Sequence, residues 1–456
     1  MGDESIETEP TDRLRPSLIE STIPIASLIL LVALSYYLFR DAGMNGPNQV
    51  GLAVATMIAV FFGWRKGYSL RDLGDAAVAS VGSGLGAIFI LFAVGALIGT
   101  WAMSGTLVTM VFYGLKILNP NFFYVSAAAI AAAISYGIGT SWTLVGTVGI
   151  GLMGISAAMS LNPAITAGAI ISGAYFGDTT SPLSDSANLA AGVADVNLYD
   201  HLRQVSAISA VVLAIALVVF AIADGRGSFD RAAELAALDS DFHVSLILLL
   251  PLVVVVALAL WKIPPFTTIF LGALVGGVMA VIVAPERVVA FADADNTLPG
   301  WLALIKGVWQ SLAHGYVSTT GDAIVDNLTT RGGMSSMLPT IWLVISAFAF
   351  GGVVEKTGAL DRLIAPIVKM AKSSGSLVAT LVISVLVTNI VTADQYLAVV
   401  LPGRMFKRAF GDRRLPPVLL SRSVGASATP SSALIPWNSC GAYMSATLGV
   451  AMKGNN

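Results

Sequence analysis

Between Ser172 and Gly192 a membrane-length apolar run breaks open, in SGAYFGDTTSPLSDSANLAAG. Pro163–Phe176 is apolar enough to be most of a spanning helix, and Gly177-Asp178-Thr179-Thr180-Ser181-Pro182-Leu183-Ser184-Asp185 follows directly. Hydrocarbon has no partners for bare backbone N–H and C=O groups. A broken helix is tolerated there only where it is buried in protein or lines a wet cavity. A carboxylate at membrane depth is costly, and its usual client is a proton or a cation. The stretch therefore demands a helical membrane protein with an internal polar cavity.

The rest of the chain agrees. Of 456 residues, 56% are hydrophobic and 11% charged, against about 25% charged in a soluble domain. At about 20 residues per span, the chain holds about 11–13 membrane segments, some broken or re-entrant. A net charge of −2 points to no nucleic acid. The one cysteine, Cys440, excludes a disulfide framework and a cysteine metal site. The polar start, MGDESIETEPTDRLRPSLIE, lacks a basic lead and short apolar core, so residues 1–20 are expected to be a disordered cytoplasmic tail rather than a signal peptide.

Ile23–Phe39, Gln49–Trp64, Ala76–Met103, Phe122–Gly139, Trp142–Met159 and Val205–Ala223 are the spans expected in the first half, with Leu107–Leu118 too short to cross straight. The second half repeats the plan after a polar connection, 224–242. It has His243–Trp261, Phe266–Ala284, an insert with an amphipathic helix at Leu298–His314, Thr340–Glu355, a short Leu360–Ala371, and Leu377–Val391. Gly105 and Gly358, and Lys116 and Lys369, are 253 residues apart; Thr140 and Thr392, Gly151 and Gly403, and Met153 and Met405 are 252 apart; Ser181 and Ser432 are 251 apart. So steady a register marks an internal repeat. Gly403–Arg422 carries Arg404, Lys407, Arg408, Arg413, Arg414 and Arg422, whereas its counterpart Gly151–Ile170 has no Lys or Arg. Positive loops stay in the cytoplasm, so the halves, 21–223 and 243–456, are expected to be inverted, as in secondary transporters with a site at the midplane. The Arg65/Lys66/Arg71 loop then places the N-terminus inside. Val205–Ala223 would have its mate near position 457, so the second half is expected to lack its last helix.

Asp178 and Asp185, seven residues apart, with Ser181, Ser184 and Asn188, form the first candidate cation and proton site. Carboxylate, hydroxyl and carbonyl oxygens suit a hard cation such as Na⁺, and a proton can compete for the same carboxylate. Asp394, inside NIVTADQY, is the second-half candidate, with Asn389 beside it and Thr140, Ser141 and Trp142 as repeat mates. Asn438, in the second broken stretch LIPWN, completes the set. Asp178, Asp185 and Asp394 are the Na⁺ candidates. Capping or helix packing is the competing role for each. Glu355-Lys356 and His201 are read as interfacial, Asp322 and Asp326 as loop or hinge residues, and His314 as structural.

At SGAYFGDTTSPLSDSANLA the chain resembles the NhaC family of Na⁺/H⁺ antiporters, and the likeness extends through GALIGTWAMSGT, GTSWTLVGTVGIGLMGI, GYVSTTGDAIVD, RGGMSSML, FGGVVEKTG, TADQYLAVVLPGRMF and LIPWNSCGAYM. The resemblance implies Na⁺ or Li⁺ exchange against H⁺ by alternating access in the cytoplasmic membrane. It implies no cofactor, no enzymatic residues, two related halves and a homodimer. The alternative is a Na⁺/H⁺-coupled exchanger of small organic acids such as malate and lactate. A more distant one is an intramembrane aspartyl protease built on Asp178 and Asp394. The chain departs from the family pattern at Thr179, where Lys is usual. It departs again at Gly425-Ala426, where an acidic pair is usual, and at Ala433, where Pro is usual.

Overall fold

The computed structural model describes residues 16–223, 244–293, 297–321, 323–371 and 373–450, with 235, 236, 238 and 242. Most of the expected tail, most of the connection 224–242, Asp322 and the last six residues lie outside the described residues. The described chain is helical. Nine of its helices are long and apolar enough to cross a membrane, and Thr106–Ile117 and Leu246–Leu260 are shorter apolar segments. It is a polytopic membrane protein.

Local chemistry sets the helix ends. Ser17 and Ser69 open their helices with capping boxes, to Glu20 and Asp72. The Asn162 Oδ1 accepts from the amides of Ala164 (2.9 Å) and Ile165 (3.3 Å), and Pro163 fills the first helical position. Ile222 ends a 25-residue helix from Leu198 whose apolar length stays largely exposed, as a lipid-facing helix must. Leu85–Ser104, by contrast, is buried along most of its length. It packs against Pro265–Val283 where Gly272 and Gly276 give way to Leu97 and Trp101, and the Trp101 indole donates to the Gly272 carbonyl at 3.2 Å.

Glycine also brings the site's two helices together. A Cβ on Gly173 would sit 2.2 Å from the Ala128 carbonyl oxygen, and one on Gly177 would sit 2.3 Å from the Tyr136 nitrogen. Small residues allow such backbone approach between membrane helices. Phe123–Ile138 thus lies directly on Pro163–Thr180, and the Ser135 hydroxyl donates to the Ala174 carbonyl at 2.6 Å.

The same local structures recur later in the chain. Gly105 and Gly358, both with positive φ (83° and 69°), each open a 12-residue helix, Thr106–Ile117 and Ala359–Met370. Left-handed Gly139 and Ala393 (φ 83° and 56°) each end a helix at a break. Pro163 and Pro417 each start a helix, and Ser184 and Asn438 each cap one. These last three pairs are 254 residues apart, so the register through the breaks is 254, not the 252 and 251 read from matching residue types. Matching Thr and Ser is cheap in so apolar a chain, whereas a left-handed cap marks the backbone itself. The corrected mate of Asp178 is Ser432, and that of Asp394 is Thr140.

Candidate ion site at the crossed helix breaks

Pro163–Thr180 ends just beyond Asp178. Ser181, Pro182 and Leu183 turn the chain, and Ser184 caps the next helix, Asp185–Val193. A second helix start faces this turn. Phe123–Ile138 stops at left-handed Gly139, extended Thr140 follows, and Ser141 begins a new helix that passes through a π turn at Val145–Gly149 before continuing to Ala158. Glycine is required at 139 twice over: φ is +83°, and a Cβ would sit 2.6 Å from that of Leu183. Asp178 therefore meets two helix N-termini, where free N–H groups favour negative charge.

Both of its carboxylate oxygens are filled. Oδ2 accepts from the Ser141 hydroxyl at 2.6 Å and the Ser141 amide at 3.3 Å. Oδ1 accepts from the Ser184 hydroxyl at 2.7 Å and the Ser186 hydroxyl at 3.0 Å. The side chain is buried. A buried charge persists only when it is hydrogen-bonded like this.

Asp394 stands at the other break. Ser374–Thr392 ends at left-handed Ala393, and Asp394 caps Gln395–Asp412, accepting from the Leu397 amide at 2.8 Å. The Ala393 carbonyl accepts from the Ser439 amide at 2.9 Å, which ties this break to the last broken stretch. The two halves are also pinned across the site. Trp142 stacks on Tyr443 with ring centroids 4.2 Å apart and planes within 12°, and the Tyr443 hydroxyl donates to the Trp142 carbonyl at 2.7 Å.

One cavity of about 260 Å³ joins these elements. Asp178, Asp185, Asp394, Thr140 and Ser186 line it with Trp142, Gln395 and Tyr396. No Lys or Arg is among its lining residues, so the described wall carries three carboxylates and no countercharge. Of these lining residues Asp185 and Tyr396 are exposed and Asp178 is buried. Among the described residues no three His, Cys, Asp or Glu side chains cluster closely enough to hold a metal by themselves. A cation held here takes hydroxyl and carbonyl oxygens along with carboxylate.

The other candidates are placed differently. Ser184 is within the Asp178 network, whereas the Ser181 hydroxyl accepts from the Leu183 amide at 3.1 Å and braces the turn. The Asn188 amide donates to the Ser184 carbonyl at 2.7 Å. Asn389 donates to the Ala428 carbonyl (2.8 Å) and the Ser431 hydroxyl (2.9 Å). Asn438 donates to Asn389 Oδ1 (3.2 Å), and its own oxygen caps the Cys440 amide (3.0 Å). These four are absent from the cavity wall and hold the breaks in shape. Asn389 repeats the bond of its counterpart Ser135, since each donates to a carbonyl 39 residues on.

His201, read as interfacial, is buried instead, with Nδ1 2.8 Å from the Ser421 hydroxyl. Its ring packs on Gly425, where Pro417–Ser432 meets Leu198–Ile222. Asp326 braces a turn by accepting from the Thr320 amide (2.9 Å) and the Gly321 amide (3.1 Å). Glu355 and Lys356 border a wider recess of about 850 Å³ with Asp72, Asp75, Ser80 and Ser83. Ser83 borders both the recess and the cavity. Ser186, Gln395 and Tyr396 were not foreseen as site residues. Ser186 follows the Ser184 cap by two residues, a first-turn position that faces whatever the N-terminus faces.

Residues 173–453 match the Na⁺/H⁺ antiporter family. The chain is 34% identical over 436 residues to the Na⁺/H⁺ antiporter NhaC of Alkalihalophilus pseudofirmus, an alignment that spans 94% of this chain and 91% of the other. It is 35% identical over 445 residues to the arginine/ornithine antiporter ArcD of Halobacterium salinarum, across 96% and 87% of the two chains. It is also 32% identical over 443 residues to a malate-2H⁺/Na⁺-lactate antiporter of Bacillus subtilis, across 96% and 90%.

Proposed function

Since the chain belongs to the Na⁺/H⁺ antiporter family, we propose that it exchanges Na⁺, or Li⁺, for H⁺ by alternating access. The observation that carries this reading is the convergence of Asp178, Asp185 and Asp394, from both halves, on one cavity without Lys or Arg in its wall. The chemistry follows from the serine hydroxyls. While Asp178 is ionised, Ser141, Ser184 and Ser186 point their protons at it; Ser184 also accepts from the Ala187 amide, so Ser141 and Ser186 keep lone pairs for a cation. A proton on Asp178 needs an acceptor and reverses at least one of these hydroxyls. One ligand for Na⁺ is then lost, so the two ions exclude each other. Asp185 and Asp394 supply further charge for the cation.

The two halves are inverted relative to each other in this reading, and one moves against the other around the cavity. The protein resides in the cytoplasmic membrane as a homodimer with the N-terminus inside. The recess at Asp72, Asp75 and Glu355 is then the cytoplasmic access, because it opens beside the Arg65/Lys66/Arg71 loop. The malate/lactate relative supports a second reading, exchange of small organic acids. A carboxylate substrate would meet three like charges, so the cavity favours the cation. Everted vesicles holding this chain and a pH dye test the proposal. Na⁺ alone should dequench the dye; a response that requires malate or lactate overturns the cation reading.

A further inference from the structure

Glu355 has no part in the ion chemistry above, although its helix, Leu338–Lys356, runs past the break at Asp394. Adjacent glycines press that helix against two neighbours. A Cβ on Gly351 would lie 3.0 Å from Thr392, the last residue before the Ala393–Asp394 break. One on Gly352 would lie 2.6 Å from the Ala76 carbonyl oxygen in Leu70–Ser83. Glu355 follows Gly351 by one turn, so the two share a face about 6 Å apart along the axis. Thr357 then packs on Gly63, two residues before Arg65. Glu355 therefore lies between the break and the Arg65/Lys66/Arg71 loop, in the wall of the recess of about 850 Å³. Leu397 and Ser83 form the partition between recess and cavity. Leu397 lines the recess while its amide donates to Asp394 Oδ1 at 2.8 Å, and Ser83 borders both spaces.

The other acids of the recess are engaged. Asp72 accepts from the Ser69 amide at 3.3 Å in its capping box, and Asp75 faces Arg71 at 3.9 Å. Among the described residues, no hydrogen bond or ion pair holds the Glu355 carboxylate. Tyr68 and Lys356 border the recess with it, and Asp361 and Asp394 lie within electrostatic range. An unbonded carboxylate with an open recess on one side and a cavity acid on the other is suited to pass a proton between them.

We propose that Glu355 is the proton-relay residue of the inner access path, receiving the proton that leaves the cavity and handing it to water in the recess. The inference rests on the exchange reading and assigns the exit of its proton. The O–H bond of a cavity carboxyl breaks as one forms on Glu355 through intervening water. The Glu355 O–H bond breaks in turn as the proton passes to a water of the recess, and the carboxylate is restored. Na⁺ needs no such step.

In everted vesicles holding the full chain the recess faces the medium, so external pH sets the pH at Glu355. Glu355→Gln should lower the maximal rate of Na⁺-induced dequenching near neutral pH by on the order of a hundredfold, the low end for a positioned proton-transfer group. The KM for Na⁺ should not change. The loss should shrink as the medium is made alkaline, because hydroxide then takes the proton directly, and Glu355→Asp should recover most of the rate. Asp75→Asn removes a charge from the same recess and should not reproduce this pH dependence. A wild-type rate in Glu355→Gln, from protein inserted to the same level, overturns the inference and leaves the Na⁺ reading standing. A loss equal at every pH makes Glu355 structural, and a raised KM for Na⁺ at unchanged maximal rate makes it a collector of cations; either overturns the relay. Silence of the wild-type chain, shown to be inserted, overturns the exchange reading itself.

Discussion

Asp178→Asn tests the centre of the site, because the substitution changes charge and almost nothing in shape. Hydrogen bonds to an ionised acceptor contribute about 1.5–3 kcal/mol and neutral ones about 0.5–1.5 kcal/mol. Four such bonds converge on Asp178, so the variant forgoes roughly 4–6 kcal/mol of charge assistance. It also escapes the desolvation of a buried carboxylate, itself several kcal/mol. The two terms nearly cancel, and the Ser184 and Ser186 hydroxyls can rotate to accept from the new amide. The variant should therefore insert and unfold near the wild-type temperature in detergent. Transport has no such compensation. A carboxylate about 4 Å from a monovalent cation, at an effective dielectric of about 20, contributes about 4 kcal/mol. At about 1.4 kcal/mol per factor of ten, the KM for Na⁺ rises roughly a thousandfold, beyond attainable Na⁺. The assay is Na⁺-induced dequenching across a pH series, with the amount of inserted protein measured alongside. If Asp178→Asn exchanges Na⁺ with wild-type KM and an unshifted pH profile, the reasoning from hydroxyl orientation is refuted.

Three further outcomes are expected. Asn389→Ala removes three neutral hydrogen bonds, to the Ala428 carbonyl, the Ser431 hydroxyl and the Asn438 amide, and should lower stability by about 1–3 kcal/mol by thermal unfolding, while molecules that do insert keep the Na⁺ KM. Gly177→Ala drives a methyl to 2.3 Å from the Tyr136 nitrogen; the backbone cannot yield like a side chain, so a loss of about 1–3 kcal/mol or more and reduced exchange per cell should follow, read from melting and vesicle assays. Lys407→Met removes an exposed ion pair with Asp195 and should change stability by less than about 1 kcal/mol in the same melts.

The break at Asp178 was visible in the sequence because Gly, Asp, Thr and Pro in an apolar run violate what lipid tolerates. Asp394 stood out for the same reason. What the residues alone concealed was which oxygens are spoken for. Asn389 and Asn438 look like ligands as a list of types, yet each spends its amide on backbone and neighbours. Ser141 is 37 residues from Asp178, and only the packing of Gly173 and Gly177 on Phe123–Ile138 brings the two together. His201 reads as an amphipathic residue near a helix start, and its burial depends on Gly425 more than 200 residues away. The local structures that recur at an offset of 254 lie two or three residues from the offsets read from matching residue types, since residue types drift while left-handed caps do not.

That register leaves the halves electrically complementary. Where the first half has Asp178 with Ser141, the second has Ser432 with Gln395, again 37 residues apart and 3.5 Å between oxygens. Where the second half has Asp394, the first has Thr140. Each half thus supplies one acid from these paired positions and leaves the other neutral, so the two acids are placed asymmetrically between the halves. Thr140→Asp with Asp394→Thr conserves the number of acids in the cavity wall while moving one of them to the other half. The asymmetry gives two otherwise similar frameworks a front and a back.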